Sequence, residues 1–247
     1  MEKRYVDINC DVGEGIGNEP QLFPLISSCN IACGGHAGDM RSMKQMLALT
    51  KEYKVKVGAH PSYPDMENFG RISMQIPKNQ LIINIRTQIE SLLDLCKKEE
   101  IGLHHIKPHG ALYNDIAKDE KLADVFLEAI ESYRSDVFLY VPFASVIAQL
   151  AMDNGFKIKW EAFGDRNYTR DLKLVPRKEH NALITHPDKV LKHLLSMLRD
   201  SQLITVDGEL FQIKADTYCI HGDTPSAVEI LTYLTEELPK YNYYPNP

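Results

Sequence analysis

The feature that most constrains the fold is a repeated alternation of short apolar runs with longer amphipathic stretches. Most of the apolar runs end in glycine and polar residues, and each has the length of a buried strand. A strand followed by a helix, many times over, predicts a parallel α/β fold. Seven runs are predicted strands: Tyr5 to Cys10, Ser28 to Cys33, Val55 to Ala59, Leu103 to Lys107, Val137 to Val141, Ile158 to Ala162 and Thr217 to Ile220.

Helical spacing of apolar residues marks several of the stretches between these runs. Pro77, Pro187 and Pro225 suit first-turn positions, where a proline removes only an N–H that has no helical partner. Gly155 and Pro239 are predicted to end helices. The spacing is clearest in three groups: Met40, Met43, Met46 and Leu47; Leu81, Ile85, Ile89, Leu92 and Cys96; Leu122, Val125, Phe126, Ala129, Ile130 and Tyr133.

A different pattern occupies Leu203 to Ile213, where two alternating segments flank Asp207-Gly208. This predicts a hairpin with a type I′ turn, inserted before the last strand. Within Pro142 to Gln149 an apolar run passes straight from a strand into a helix, so the sequence leaves that boundary open.

Length and charge narrow the class of protein. The 247 residues, 44% of them hydrophobic, fit one domain covering 1–247, because α/β barrels of about 250 residues form single units. With 28 basic and 34 acidic residues the net charge is −6, which argues against a nucleic-acid partner. We find no membrane-spanning run and no signal peptide, so we expect a cytoplasmic protein; a homo-oligomer stays open. The five cysteines form no metal or disulfide pattern and are expected to be free, buried thiols.

Polar, reactive residues follow the predicted strands, which is where active sites form in parallel barrels. Four of the nine histidines, His36, His60, His109 and His221, occupy corresponding places in four strand-loop units. One such histidine would be taken as structural, but four around a barrel mouth suit acid–base or metal chemistry. His104 and His105 lie in or beside a strand and are interpreted as packing residues.

Carboxylates accompany these histidines at Asp11, Glu14, Asp39, Asp65 and Asp223. They could bind a divalent metal or act as a general base, whereas Asp39 and Asp223 also stand where an aspartate would cap a helix. Lys107, at a strand end, either stabilises a developing oxyanion or substrate carboxylate, or extends from the strand end into solvent. The glycines at 13, 15 and 17 match no known phosphate loop, so the chain carries no recognisable ATP-binding motif.

Taken together, these loops resemble the LamB/YcsF family, in order and from about residue 6 to residue 235. The tail beyond, 236–247, is expected to lie outside the match. The motifs that carry the resemblance are Asp7 to Gly15, Asn30 to Asp39, Gly58 to Asp65, Phe69 to Arg71, Lys107 to Asn114, Asp165-Arg166, Leu174 to Arg177 and His221 to Pro225.

The resemblance implies a seven-stranded barrel related to the glycoside hydrolase/deacetylase superfamily. It also implies the role of the A subunit in a bacterial 5-oxoprolinase, which works with separate B and C subunits. The reaction opens 5-oxo-L-proline to L-glutamate and converts ATP to ADP and phosphate. One departure is Gly35, where many relatives carry Phe, and we expect it to change the lining of the pocket.

Site roles follow as hypotheses. The predicted catalytic residues are Asp11, Glu14, His36, His60, Lys107 and His109. The predicted substrate-binding residues are Asp39, Tyr113, Asn114, Arg166, His221 and Asp223. Asp11 with His36 or His60 would form an acid–base or metal-binding pair, and Arg166 would hold an anion. A divalent metal stays open. Two other functions remain: a stand-alone metal-dependent deacetylase or amidase, and a non-catalytic ligand-binding subunit.

Overall fold

Seven parallel strands close into a barrel in this computed structural model, which describes residues 3–245. The strands of the chain are β1 (Arg4–Val6), β2 (Ile8–Val12), β3 (Ser28–Ala32), β4 (Lys56–His60), β5 (Leu103–Ile106), β6 (Phe138–Pro142), β7 (Lys157–Phe163), β8 (Gln202–Ile204), β9 (Leu210–Gln212), β10 (Thr217–Cys219) and β11 (Tyr243–Pro245). Around the barrel the order is β10-β2-β3-β4-β5-β6-β7, with β10 paired to both β2 and β7.

Helices cover the outside of the barrel and alternate with its strands, so the predicted α/β barrel is confirmed. Their buried faces contain the apolar residues that the sequence spaces at helical intervals. The helices are α1 (Glu19–Leu22), α2 (Met40–Tyr53), α3 (Lys78–Lys98), α4 (Gly110–Ile116), α5 (Glu120–Ala129), α6 (Val146–Asp153), α7 (Pro187–Asp200) and α8 (Ala227–Glu237), with short 3₁₀ turns at Phe23–Leu25, Glu131–Tyr133 and Leu238–Tyr241.

The predicted strands match the seven barrel strands to within one or two residues at most ends, and the first differs most. The run Tyr5 to Cys10 divides at Asp7 into β1, which pairs with β11, and β2, which belongs to the barrel. The Asp7 side chain causes the break, because it turns inward to accept hydrogen bonds from Ser28 and Thr217 at 2.8 and 2.7 Å. Strand β2 then runs on to Val12, so Asp11 lies within the strand and not in the loop after it.

The predicted hairpin is present as β8 and β9, but its turn is not of type I′. The tight turn spans Thr205 to Gly208, with the Gly208 N–H donating to the Thr205 carbonyl at 2.9 Å. A type I′ turn needs positive φ at both central residues, whereas here neither Val206 nor Asp207 has it, and only Gly208, which follows them, does, at +81°. The prediction for Pro225 is also wrong, because α8 begins two residues later, whereas Pro187 does begin α7.

The boundary that the sequence left open falls at Pro142. Strand β6 ends there, and Ser145 caps α6 by accepting a hydrogen bond from the Ala148 N–H. All five cysteines are free and buried, as expected. Burial raises the pKa of the Cys33 thiol to about 12, which disfavours a reactive thiolate there. Across residues 3–245, no helix combines the length and apolar character needed to cross a bilayer.

Candidate active site

Polar side chains fill the upper interior of the barrel, where a typical barrel has apolar layers. Alternation along β2 turns Asn9 and Asp11 inward, while Ile8, Cys10 and Val12 face the helices. Asn30 on β3 donates to both Asn9 Oδ1 and Asp11 Oδ1, at 2.8 and 2.7 Å. Strand pairing therefore builds a hydrogen-bonded core directly beneath the barrel mouth.

Lys107 lies at the centre of this core and is 2% exposed. Its Nζ is 3.0 Å from Asp11 Oδ1 and 2.9 Å from Glu161 Oε1. It also donates to Asn9 Oδ1 at 3.2 Å and to Cys219 Sγ at 3.2 Å. The side chain thus does not extend into solvent, which removes one of the two alternatives for this residue.

Charges fix the protonation states of this core. Burial by itself lowers the pKa of Lys107, but the charge of Asp11, together with Cys219 and Glu161, raises it well above its usual value. Burial would raise the pKa of Asp11, yet His60 and Lys107 hold it well below its usual range. The core therefore contains an ammonium group paired with an ionised Asp11 at neutral pH.

A cluster of three histidines and a glutamate adjoins Asp11. We call this group, Glu14, His36, His60 and His109, the histidine cluster; one ligand atom from each lies within 4.8 Å of the others. Glu14 Oε1 is 2.9 Å from His36 Nε2 and 3.4 Å from His109 Nδ1. His60 Nε2 is 3.5 Å from Asp11 Oδ2. The four residues come from three adjacent strand ends and the α4 N-cap, as their positions in the sequence predict.

In two of the imidazoles, one ring nitrogen points away from the cluster and donates a hydrogen bond. That bond determines which nitrogen of the ring faces the cluster. His60 Nδ1 lies 2.7 Å from the Lys107 carbonyl and His109 Nε2 lies 3.0 Å from the Phe69 carbonyl, so both of these nitrogens donate. When the rings are neutral, the lone pairs of His60 Nε2 and His109 Nδ1 then face each other across 3.0 Å. Burial lowers the pKa of His109 well below its usual value, which favours the neutral ring.

This arrangement fits a cation between the two rings. Three imidazole nitrogens and one carboxylate oxygen are the donors that zinc and similar divalent ions take. The carbonyl partners of His60 and His109 supply the outer hydrogen bonds that orient metal-binding histidines. Gly70 brings its loop against the cluster, since a Cβ there would lie 2.9 Å from His36 Cβ. The residues present therefore fit a divalent metal.

His221 forms a second acid–base pair with Asp165. The fully buried Asp165 carboxylate lies 3.0 Å from His221 Nδ1 and also accepts from the Thr224 hydroxyl. The His221 ring stacks on Phe163, with centroids 5.3 Å apart. A carboxylate at Nδ1 fixes the tautomer and leaves Nε2 for a ligand, which is the arrangement of a histidine general acid or base.

Arginines form the outer wall. Arg71 and Arg177 both pair with Asp223, the latter at 2.9 Å. Arg166 is 5% exposed and donates to the backbone carbonyls of Ala182 and Val175. Burial, with the nearby charge of Arg177, lowers the pKa of Arg166 to about 10. Within residues 3–245 no carboxylate pairs with Arg166, so an anionic ligand would supply the missing charge.

These groups meet at a 470 Å³ opening, which we call the mouth cavity. Glu14 and His36 lie behind its wall, in the histidine cluster, and Asp223 supports the two arginines. Most of the predicted site residues line the cavity itself: Asp11, His60, Lys107, His109, Tyr113, Asn114, Arg166 and His221.

Asp39 lies apart from this site. It is exposed, and its carboxylate accepts from the Arg41 and Ser42 N–H groups, so it caps α2 in a capping box. The structure thus gives Asp39 the capping role that was its alternative. Gly35 is not among the residues that line the mouth cavity, and a Cβ there would meet Ser62 and Gln88 at 2.3 Å. The expected change in pocket lining at Gly35 stays a prediction.

Sequence reasoning missed several residues of the site. Glu161 pairs with Lys107, Asn9 and Asn30 position the core, and Asp165 orients His221. Asp165 had a usable signal, because it comes shortly after the predicted strand end at Ala162 and next to Gly164. Glu161 had none, since it lies inside a strand and meets Lys107 only when the barrel closes.

Fold and site together define a parallel α/β-barrel protein with acid–base pairs and a histidine cluster at the carboxyl ends of its strands. The family model described as LamB/YcsF family matches residues 6–245, and the chain belongs to that family. The match includes β11, so the expectation that the tail beyond 235 lies outside it is wrong.

Relatives extend over nearly the whole chain. A protein of Haemophilus influenzae, named as the A subunit of 5-oxoprolinase, is 37% identical over 96% of this chain and 97% of its own. One of Pyrococcus horikoshii with the same name is 39% identical over 94% and 93%. The crystal structure of a lactam utilization protein from Thermus thermophilus superposes with a TM-score of 0.91 at 33% identity, covering 100% of this chain and 99% of that one.

Proposed function

We propose that this chain is the A subunit of an ATP-dependent 5-oxoprolinase, which hydrolyses 5-oxo-L-proline to L-glutamate together with separate B and C subunits. The observation that carries the proposal is the meeting of the Asp11–Lys107 pair, the Asp165–His221 pair and the histidine cluster at one cavity. The names of the relatives, two of 5-oxoprolinase and one of lactam utilization, support this substrate and reaction.

The residues can be assigned to the steps of lactam opening. Arg166, which lacks a carboxylate partner among residues 3–245, binds the substrate carboxylate. Asp11 is ionised and lines the cavity, so it accepts a proton from the attacking water. His221 donates a proton to the ring nitrogen as the C–N bond breaks, with Asp165 holding its tautomer. Lys107 keeps Asp11 ionised and adds positive charge near the developing oxyanion.

The low reactivity of the lactam explains why this scheme needs ATP. A five-membered lactam has little strain and an unreactive carbonyl carbon, so transfer of the γ-phosphoryl group of ATP to the carbonyl oxygen, with release of ADP, would make that carbon a better electrophile. Attack by water and cleavage of the C–N bond would then leave γ-glutamyl phosphate, and its hydrolysis by a second water would release glutamate and phosphate. If a divalent metal is bound, Glu14, His36, His60 and His109 would hold it, and it would supply Lewis-acid polarisation and a more acidic water.

The test is glutamate release from 5-oxoproline by the chain, with and without the partner subunits and ATP. We expect activity only in the complete mixture. Asp11→Ala and His109→Ala should abolish it without unfolding the chain, whereas Asp207→Ala, on the exposed hairpin turn, should behave as the wild type. Full activity in either of the first two variants would contradict the roles assigned to these residues. If the complete mixture released no glutamate, the proposed function itself would be wrong.

A second candidate function is a stand-alone metal-dependent deacetylase or amidase, and the histidine cluster is the observation that favours it. Metal analysis of protein purified without added salts would test the site. Hydrolysis of a simple amide or acetamide by the chain alone, lost with a chelator and restored by one metal, would support this function over the first.

A further inference from the structure

A second cavity lies beside the mouth cavity and has no role in the reaction above. We call this 590 Å³ space the annex. It is formed by the connection from β6 to α6, the end of α4, and the segment 171–174. Tyr113, Asn114, Phe163 and Leu174 line both cavities, so the two share one wall and open side by side at the barrel mouth. An occupant of the annex is thus in reach of the mouth cavity.

The annex is mostly apolar, and the acidic residue on its inner wall, Glu161, is paired with Lys107 at 2.9 Å. Phe143, Val146 and Leu174 contribute to its walls. The two lysines at its rim are already paired, Lys118 with Asp115 at 2.9 Å and Lys173 with Asp171 at 2.6 Å. Such a space suits a flat, uncharged ring and rejects a free anion.

The backbone around the annex is under strain. Ala144 and Leu172 both line it, and each adopts the left-handed conformation at φ +57°. Non-glycine residues are held there at a cost and concentrate where loops are shaped for a ligand. The two strained residues therefore mark the annex as a candidate ligand site.

The mouth cavity has more positive charge than the lactam can balance. The one carboxylate of 5-oxoproline would satisfy Arg166. Arg71 and Arg177 share a single carboxylate, Asp223, and Lys178 has no acidic partner among residues 3–245. A further anionic group, of more than one charge, would match what is left.

One segment of the chain lines both the annex and the mouth cavity. Leu172 to Leu174 line the annex, and Val175 to Lys178 line the mouth cavity. The apolar wall of the annex and the cationic wall of the mouth cavity therefore belong to one continuous segment, 172–178. A ligand with an uncharged ring at one end and a polyanion at the other would cover both.

We propose that the annex binds the nucleoside of ATP and that the triphosphate extends into the mouth cavity, toward Arg177 and Lys178. This inference rests on the ATP dependence in the proposed function. In this proposal the chain binds the triphosphate without a glycine-rich phosphate loop, because cationic side chains contact the phosphates instead. Apolar walls contact the base through its faces, so purine nucleotides should bind with little discrimination between adenine and guanine.

Calorimetric titration of the full chain with magnesium and the non-hydrolysable ATP analogue AMP-PNP tests the site. Ala117→Trp fills the annex from α4, and Lys178→Glu reverses a charge in the mouth cavity. Both should weaken AMP-PNP binding about tenfold or more. Inorganic tripolyphosphate separates them: Lys178→Glu should weaken its binding, whereas Ala117→Trp should leave it within about twofold. Ala215→Trp, a half-buried alanine outside both cavities, is the matched control.

The proposal is overturned if AMP-PNP fails to bind at millimolar concentration, or if Ala117→Trp and Ala215→Trp weaken it equally. Thermal melting of each variant shows whether the chain is folded. Turnover with the partner subunits separates this proposal from the function itself. An unchanged KM for ATP in Ala117→Trp overturns the nucleotide site alone, whereas no turnover by the wild-type mixture overturns the proposed function.

Discussion

Lys107 is the residue on which most of the site depends. Its ammonium group is buried and touches Asp11, Glu161, Asn9 and Cys219 within 3.2 Å. The desolvation of three charged groups is offset only because each is paired. Removing the cation would leave two buried carboxylates beside each other, which is far more costly than losing the pair as a whole.

We therefore predict that Lys107→Met lowers the free energy of unfolding by about 3–5 kcal/mol and abolishes turnover. Urea denaturation at pH 7 measures the first effect. The double variant Lys107→Met/Glu161→Gln should recover part of the stability, because it removes one unpaired charge, but none of the activity. A double variant no more stable than Lys107→Met would show that charge is not the cause.

At this scale the sequence predicted the histidines and Asp11, because each follows or ends a strand and such positions converge in a barrel. It could not predict Glu161 or Asn30. Both lie inside strands among apolar neighbours. Only the closed order of the strands brings Glu161 to Lys107 and Asn30 to Asp11.

At the scale of elements, β4 and β5 meet through Gly58 and His105. The His105 ring is fully buried, stacks on Tyr140 at 3.9 Å, and its Nε2 lies 2.6 Å from Asn30 Oδ1. A Cβ on Gly58 would come within 2.1 Å of that Nε2. The glycine is thus what allows a histidine from the next strand to reach Asn30, and through it Asp11.

Gly58→Ala should displace His105 and lower the free energy of unfolding by about 3 kcal/mol, the upper part of the range for overpacking. It should also reduce kcat, because Asn30 loses its partner. Gly102→Ala is the matched control, since a Cβ there meets nothing and its φ is not positive. Chemical denaturation of both variants decides the matter, and equal stabilities would contradict the role given to Gly58.

The capping box of α2 leads to a separate prediction. Asp39→Ala removes the acceptor for the Arg41 and Ser42 N–H groups and should lower Tm by on the order of 2–4 °C. Turnover and KM should stay unchanged, because Asp39 lies outside the mouth cavity. A large rise in KM with an unchanged Tm would instead restore the substrate-binding role that the sequence had suggested.

Elements were predicted better than their connections. Apolar runs located all seven barrel strands, since a buried strand must be apolar on the face that meets the helices. The hairpin was predicted correctly, but its turn type was not. The turn type depends on the register of the two strands, which is set where the Thr205 N–H donates to the Glu209 carbonyl. The break at Asp7 was also missed, as its cause is a hydrogen bond to residues on other strands.

For the molecule as a whole, the alternation of strands and helices in the sequence predicted the barrel, but it did not predict the cavities. The annex depends on how the segment 171–174 folds back over β7 and the β6–α6 connection. That segment has neither regular apolar spacing nor a long strand, and its shape comes from isolated pairings such as Tyr168 with Leu174. Such tertiary contacts leave no periodic signal in a sequence.

Buried neutral histidines make the stability of the protein sensitive to acid. One of them, His193 on α7, has no role in the candidate active site. Burial lowers its pKa from 6.5 to about 4. Between those values the unfolded chain binds a proton that the folded chain does not, so stability increases with pH across this window. The contribution of His193 is fully present above pH 6.5 and falls away as the pH drops toward 4.

We predict that His193→Gln reduces the slope of unfolding free energy against pH between 4 and 6.5 by up to about 1.4 kcal/mol per pH unit. Urea denaturation at half-unit intervals measures the slope, so any constant cost of the substitution cancels. His180→Gln, at an exposed histidine, is the control and should leave the slope as in the wild type. If both variants keep the wild-type slope, His193 is not held neutral by its burial, and the acid sensitivity has another source.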